Sequence, residues 1–217
     1  ELNNVKTSKE SKQKQLSTAK TEKSKYAAKL SENEKTTQAE LEQFEKDKQE
    51  ITAQLKKIAE QEEAARRQHG NSGTTIISGN PSASGYIFPV SGLSKANIRN
   101  KSYPSYRGHT GVDVNIGVAG KSVVAVKSGT VVISQALRNS NGSYRSYGEY
   151  IVISHGDGTM TFYAHMLANS RRVQVGSHVS QGQVIGTVGS TGNSTGTHLH
   201  FEVRVGGRPV NPLPYLP

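Results

Sequence analysis

The chain has 217 residues, 33% of them hydrophobic, and a mean hydropathy of −0.60. This length allows one or two domains, and the low apolar content indicates that part of the chain builds no core of its own. Cysteine is absent, which excludes disulfides and thiolate metal sites. No apolar run approaches the ~18 residues that a membrane-spanning helix needs.

The net charge of +10 is divided unevenly along the chain. Residues 1–69 contain 15 Lys/Arg against 13 Asp/Glu, whereas residues 70–217 contain 12 against only four. The surplus of +8 in the second region favours attraction to a polyanion. Its basic residues are scattered singly and are not interleaved with aromatic side chains, so we expect no nucleic-acid partner, which leaves an anionic membrane surface or an acidic cell wall.

The first 69 residues contain neither glycine nor proline and are rich in Lys, Glu, Gln and Ala, which is typical of α-helix. Apolar residues recur at intervals of seven, interrupted by Lys23 and Thr37, and this thin stripe predicts a coiled coil that needs a partner helix. The stripe consists of Leu16, Leu30, Phe44, Ile51, Ile58 and Ala65, with Leu41 and Leu55 beside it. Both a hairpin reversing near Ser31–Glu34 and one continuous helix of about 100 Å fit this pattern.

Residues 70–85 are rich in Gly, Ser and Asn, which predicts a flexible linker between domains. From Tyr86 onward, short β-branched runs alternate with turns, so we expect residues 86–217 to form an all-β domain of sandwich or open-barrel type. The predicted strands are Ser122–Val126, Thr130–Ser134, Tyr150–Ser154, Thr159–Ala164, Arg172–Val175, Gln183–Val188 and His198–Val205.

Two histidine motifs in the β region point to a metal site. His109 and Asp113 are four residues apart, and Gly111 between them lets the backbone bend. His198 and His200 are two apart in a predicted strand, so their side chains share one face. Two histidines and one carboxylate around Zn²⁺, with a fourth position open to water, form a catalytic site rather than a structural one. His165 is a further imidazole on a neighbouring predicted strand.

Four segments, from about Tyr86 to Asn211, carry a resemblance to a known family. They are Gly108–Val114, Val152–Gly158, Tyr163–His165 and Gly182–Glu202. In order and spacing they resemble the lysostaphin/LytM-type zinc peptidoglycan endopeptidases. The resemblance implies a small antiparallel β fold with a groove and hydrolysis of peptide cross-links in bacterial peptidoglycan.

The resemblance also implies roles for individual residues. It assigns the ligands of one Zn²⁺ to His109, Asp113 and His200, and non-ligand catalytic functions to His165 and His198. It matches a tyrosine in the loop before the first ligand to Tyr103 or Tyr106. The one departure noted is Thr197, where the family commonly has proline. Asn193, together with Ser190 and Thr191, is a candidate for hydrogen bonding to the substrate backbone, although turn formation explains these residues equally well.

The helical arm joined to a basic β domain is similar in architecture to division-associated cell-wall hydrolases. We therefore expect peptidoglycan as substrate, and self-association of the coiled coil or a membrane division complex as partner of the arm. The alternative is a non-enzymatic coiled-coil scaffold that binds wall peptide or activates another hydrolase. The arm either recruits and restrains the enzyme or is only a spacer or dimerisation stalk. We expect a secreted, wall-associated protein, although this chain shows no export signal.

Overall fold

The computed structural model describes residues 2–68, 85–98 and 109–217. Helix α1 runs without interruption from Leu2 to Gln68, because no residue in this stretch breaks the helical hydrogen-bond pattern. Of the two arrangements predicted for the arm, the continuous helix is the one formed. None of the described helices is long and apolar enough to cross a membrane. The predicted linker lies outside the described residues except for Gly85.

Two compact units divide the chain inside helix α1, at Glu1–Lys46 and Asp47–Pro217. The second unit contains the last turns of α1 together with all the strands. The domain boundaries predicted from composition, at 69 and 85, stay a prediction.

Nine strands follow the helix in the described residues. They are β1 (Val112–Val114), β2 (Ser122–Val124), β3 (Gly129–Arg138), β4 (Tyr144–Ser154), β5 (Thr159–Met166), β6 (His178–Val179), β7 (Val184–Thr187), β8 (Leu199–Val205) and β9 (Arg208–Val210). Seven of them form an antiparallel sheet in the order β1-β8-β5-β4-β3-β6, with β9 also paired to β8, and β2 pairs with β7 in a second small sheet. The prediction of an antiparallel β domain preceded by a long helix is confirmed.

One predicted strand, at residues 172–175, is not a strand. Arg172 donates a single backbone hydrogen bond to Ile185, and the segment then enters a turn at Gly176, whose φ is +86°. Instead of pairing with a neighbouring strand, this segment is held by a side chain: the Ser134 hydroxyl donates a hydrogen bond to the Val173 carbonyl.

The large sheet has two different faces, because successive residues of a strand point to opposite sides. On one face, Tyr163, Phe201 and Val203 belong to the main hydrophobic core. On the other face of the same strands lie Phe162, His200 and Glu202, which are outside that core cluster although all three are buried. We call this second side the polar face of the sheet.

Within the second unit, the last turns of α1 pack against the large sheet. Ile51 and Leu55 are buried, and Thr52 accepts a hydrogen bond from Arg204 on β8. At the β8–β9 turn, a Cβ added to Gly207 would lie 2.6 Å from the backbone of Lys56. Glycine at 207 therefore allows the helix to approach the turn closely.

Candidate metal centre

The pairing of β1 with β8 places Asp113 directly opposite His200. His109 lies just before β1, and the loop that carries it passes tightly against β8 at Gly111. A Cβ at Gly111 would lie 2.4 Å from the carbonyl oxygen of Phe201. Its φ is not in the left-handed region, so glycine is required here for close approach rather than for an unusual bend.

Three donor atoms converge at this point. The Nε2 atom of His109 lies 3.2 Å from Oδ1 of Asp113 and 3.0 Å from Nδ1 of His200, and that Nδ1 lies 3.1 Å from the same carboxylate oxygen. The three side chains are mostly shielded from solvent, with His200 the most buried. Among the described residues they form the one group of three or more His, Cys, Asp or Glu arranged to hold a metal ion.

Two side chains of the cluster have strongly shifted pKa values. Burial by itself raises the pKa of Asp113, but hydrogen bonds from His109 and His200 outweigh it and hold the pKa well below its usual range. Burial lowers the pKa of His200, whereas Asp113 and Glu202 raise it, to about 9 in total. A cation entering this site therefore finds an ionised carboxylate and displaces a proton from His200.

Glu202 is a residue of the site that the sequence analysis did not select. It lies on the same strand face as His200, and its Oε1 accepts a hydrogen bond of 3.0 Å from Nε2–H of that histidine. This bond fixes the ring with Nδ1 directed at Asp113, so that Nδ1 becomes free to bind a metal once its proton is displaced; a carboxylate on the second nitrogen is the usual way in which a metal-binding imidazole is oriented. Thr110, next to His109, also donates to Oε1 of Glu202. The sequence does contain a signal for this residue, since Glu202 is one of only four acids in residues 70–217 and lies two residues after His200.

The two remaining site histidines, His165 and His198, share one arrangement. Nδ1 of His165 lies 2.8 Å from the backbone carbonyl of Thr191, and Nδ1 of His198 lies 2.8 Å from that of Gly196. A carbonyl oxygen only accepts, so Nδ1 carries the proton in both rings and Nε2 is left as the base. The two ring centroids are 4.7 Å apart.

Both of these rings lie close to the donor cluster. The His165 ring centroid is 6.1 Å from that of His200, and Nε2 of His198 is 3.9 Å from Oδ1 of Asp113. Burial, together with His198 and His200, lowers the pKa of His165 to about 3, which keeps it neutral. His165 also has a φ of +58° at the end of β5, in the left-handed region that non-glycine residues rarely adopt.

The structure gives the other candidates hydrogen bonds within the protein or does not describe them. Tyr103 and Tyr106 lie outside the described residues. The side chain of Asn193 accepts a hydrogen bond from the backbone of Ser146, so it holds the β4 segment to the loop before β8. The carbonyl of Thr191 anchors His165, and its hydroxyl donates to Met166.

The donors fit a zinc ion. Two imidazole nitrogens and one carboxylate oxygen are the ligand types and number of a catalytic zinc site, which leaves one coordination position for water or substrate. His200 has the carboxylate support on its second nitrogen that such ligands require.

Comparison with known proteins identifies the family. Residues 107–212, which include every residue of the donor cluster, match the model of Peptidase family M23. The chain belongs to peptidase family M23. The matched catalytic domain of the antimicrobial peptidase lysostaphin from Staphylococcus simulans is 33% identical, with 49% of this chain and 77% of that domain covered and a TM-score of 0.40. The family match confirms the predicted resemblance to lysostaphin/LytM-type proteins.

Curated relatives are similar over the same region. The DD-carboxypeptidase/endopeptidase Mpg of Neisseria meningitidis is 41% identical over 109 residues, which cover 50% of this chain and 23% of that protein. The murein hydrolase activator NlpD of Salmonella dublin is 41% identical over 110 residues, covering 51% of this chain and 26% of that protein. The chain thus spans about a quarter of the length of these curated relatives.

Proposed function

We propose that this chain is a zinc-dependent endopeptidase that hydrolyses peptide cross-links of bacterial peptidoglycan. The observation that carries the proposal is the convergence of His109, Asp113 and His200 within 4.8 Å, beside the paired rings of His165 and His198. A scaffold that only binds wall peptide has no need of a complete set of metal ligands and bases. Membership of family M23 supports the same chemistry.

In this proposal, three residues bind the metal and two histidines act in acid–base catalysis and in stabilising the oxyanion. His109, Asp113 and His200 hold one zinc ion, which when bound supplies a Lewis acid that polarises a peptide carbonyl and makes water more acidic. His165 and His198 present Nε2 toward the reacting atoms while their Nδ1–H groups are held by backbone carbonyls. One of them takes the proton of the attacking water on its free Nε2, and the protonated ring then gives that proton to the leaving amine; the other steadies the developing oxyanion when its own Nε2 carries a proton.

The charge of the β domain supports a wall substrate. The surplus of +8 in residues 70–217 draws the enzyme toward anionic wall polymers. Such a protein acts outside the cytoplasm, at the cell wall. Tyr103, Tyr106 and Asn193 remain the proposed substrate contacts, and self-association or a membrane division complex remains the proposed partnership of the arm.

The alternative function, activation of another cell-wall hydrolase, is favoured by one observation. A relative 41% identical over 110 residues is named a murein hydrolase activator. Only hydrolysis by this chain itself requires the metal, so metal dependence separates the two functions.

The test is release of dye from labelled cell walls by the full chain, with and without a chelator. We expect release that the chelator abolishes and that added Zn²⁺ restores. Asp113→Asn serves as the matched control, because it keeps the side-chain shape but removes the charge that the metal requires. Release absent from the wild type, or unaffected by both the chelator and Asp113→Asn, would favour the activator. Mass spectrometry of the released fragments identifies the bond cleaved.

A further inference from the structure

A buried ion pair lies beneath the metal centre, and fold stability does not explain it. Glu202 and Arg204 are both fully buried on the polar face of β8. Removing two charges from water costs free energy that their attraction seldom recovers in full, and apolar residues of similar volume serve stability as well or better. In a region with only four acids, such a pair calls for another role.

The guanidinium of Arg204 connects the metal centre to helix α1. Its Nε donates to Oε2 of Glu202 at 2.6 Å, and its Nη1 donates to the Gly207 carbonyl at 3.1 Å and to the Thr52 hydroxyl at 3.3 Å. Glu202 in turn accepts from Nε2–H of His200. A continuous chain of hydrogen bonds therefore runs from α1 through two charged side chains to a proposed metal ligand.

We propose that Arg204 is a positioning residue that couples the docking of α1 to the orientation of His200. With Arg204 fixed by Thr52 and Gly207, one oxygen of Glu202 is held by Arg204 and the other faces His200. The imidazole then has one orientation, with Nδ1 directed at Asp113. The inference rests on the proposed function, because it concerns how well the site holds zinc.

The surroundings of Arg204 support positioning over simple packing. Its Nη2 is buried, and the described part of the chain supplies no hydrogen-bond partner for it, so the guanidinium is not optimally satisfied as a structural anchor. Its planar fork reaches Glu202 and Thr52 together, whereas a lysine ammonium is a point charge on a flexible stem. Lysine at 204 keeps the positive charge beside Glu202 but loses the rigid link to the helix.

The experiment measures metal affinity in the full chain, using Co²⁺ in place of Zn²⁺ because its visible spectrum reports ligand geometry. Arg204→Lys tests the link at its centre, and Thr52→Val tests it from the helix. Ser154→Ala is the matched control: like Thr52→Val it removes one hydroxyl from the contact between helix and sheet, but Ser154 bonds to Glu62 and not to the site.

We expect Arg204→Lys to weaken Co²⁺ and Zn²⁺ binding on the order of 10-fold and to shift the Co²⁺ bands. Thr52→Val should weaken binding by roughly threefold, as for loss of one modest hydrogen bond, while Ser154→Ala leaves affinity and spectrum unchanged. The double variant of Thr52 and Arg204 should match Arg204→Lys alone, because both changes break one chain.

Equal affinities for Thr52→Val and Ser154→Ala, with Arg204→Lys like the wild type, would overturn the inference and leave the proposed function standing. If Arg204→Lys does not fold, the comparison of Thr52→Val with Ser154→Ala decides alone. A wild-type chain that binds neither ion would instead overturn the proposed function, and the inference with it.

Discussion

The two faces of strand β8 carry different kinds of residue although they alternate along one stretch of seven. Leu199, Phe201 and Val203 point into the hydrophobic core, whereas His200 and Glu202 point to the polar face. Both sets are fully or nearly fully buried. Burial on the core face is favourable by itself, while burial on the polar face requires that each charged group find a partner.

This difference indicates that the core face of β8 mainly stabilises the fold, whereas the polar face carries the proposed chemistry. The core face fixes the backbone of β8, and that backbone then sets Asp113 opposite His200. The polar face adds side-chain order through hydrogen bonds rather than through packing. Changes on one face should therefore affect unfolding, and changes on the other should affect metal and turnover.

The largest effect is expected from the three proposed zinc ligands. His109→Ala, Asp113→Ala and His200→Ala should each lose bound zinc and fall to the activity of chelator-treated wild type, because three protein ligands leave none to spare. Elemental analysis after gel filtration gives the zinc content per chain. His178→Ala, at an exposed position of the same sheet, is the control that should keep its zinc. Zinc kept in His200→Ala but lost in His198→Ala would reverse the assignment of the ligand between these two histidines.

The second prediction distinguishes residues of the polar face that are needed for zinc binding from those that are needed only for turnover. His165→Ala and His198→Ala should retain one zinc per chain and lose about 10²–10⁴-fold in turnover, the usual contribution of a positioned acid or base. Zinc content and initial rates on the same wall preparation measure both. Loss of zinc together with activity in either variant would make that histidine part of the metal centre.

The third prediction concerns the core face. Phe201→Ala should lower the free energy of unfolding by about 3–5 kcal/mol, since it leaves a cavity in a fully packed core. Urea denaturation should give the same loss with zinc and with chelator. A loss that appears only in the zinc-loaded protein would mean that the two faces are not separable as argued.

The smallest effect is expected at a histidine that has no part in the chemistry. Burial is the main cause that lowers the pKa of His155 to about 4, and the ring is bonded to the Ser128 carbonyl and the Thr161 hydroxyl. The unfolded chain takes up this proton near pH 6.5 and the folded chain does not. Stability is therefore lost as the pH falls from about 6.5 towards 4.

His155→Gln removes this titratable group, so the stability of the variant should depend less on pH than that of the wild type. The melting temperature of the variant should fall less than that of the wild type between pH 7.5 and pH 5. Parallel curves for the two proteins would show that His155 is charged in the folded state or exposed to solvent.

Much of the candidate site could be predicted because its motifs are local. The four-residue spacing of His109 and Asp113 and the strand alternation of His198 and His200 each constrain geometry over a few residues. The structure brings these motifs together through one antiparallel pairing. Glu202 follows the same alternation, but its place in the site depends on contacts with His200 and Arg204 that a single acid in a strand does not indicate.

The packing of the helix could not be predicted in the same way. Ile51 and Leu55 fit a coiled-coil stripe, but they are buried in the unit that contains the sheet. An apolar stripe indicates that a helix face is covered without indicating what covers it. The bond from Arg204 to Thr52 joins residues 152 apart, and no local pattern encodes such a contact. The three-residue strands β1 and β9 were missed because they are too short to show a period.

The left-handed backbone of His165 has a consequence for protein engineering. A non-glycine residue in this conformation costs on the order of 1 kcal/mol or more, whereas glycine adopts it freely and asparagine tolerates it. Selection for heat resistance alone would therefore enrich Gly or Asn at position 165, and such survivors would lack the imidazole to which we assign a catalytic role. Any directed-evolution campaign on this fold needs a screen for wall hydrolysis alongside the thermal one.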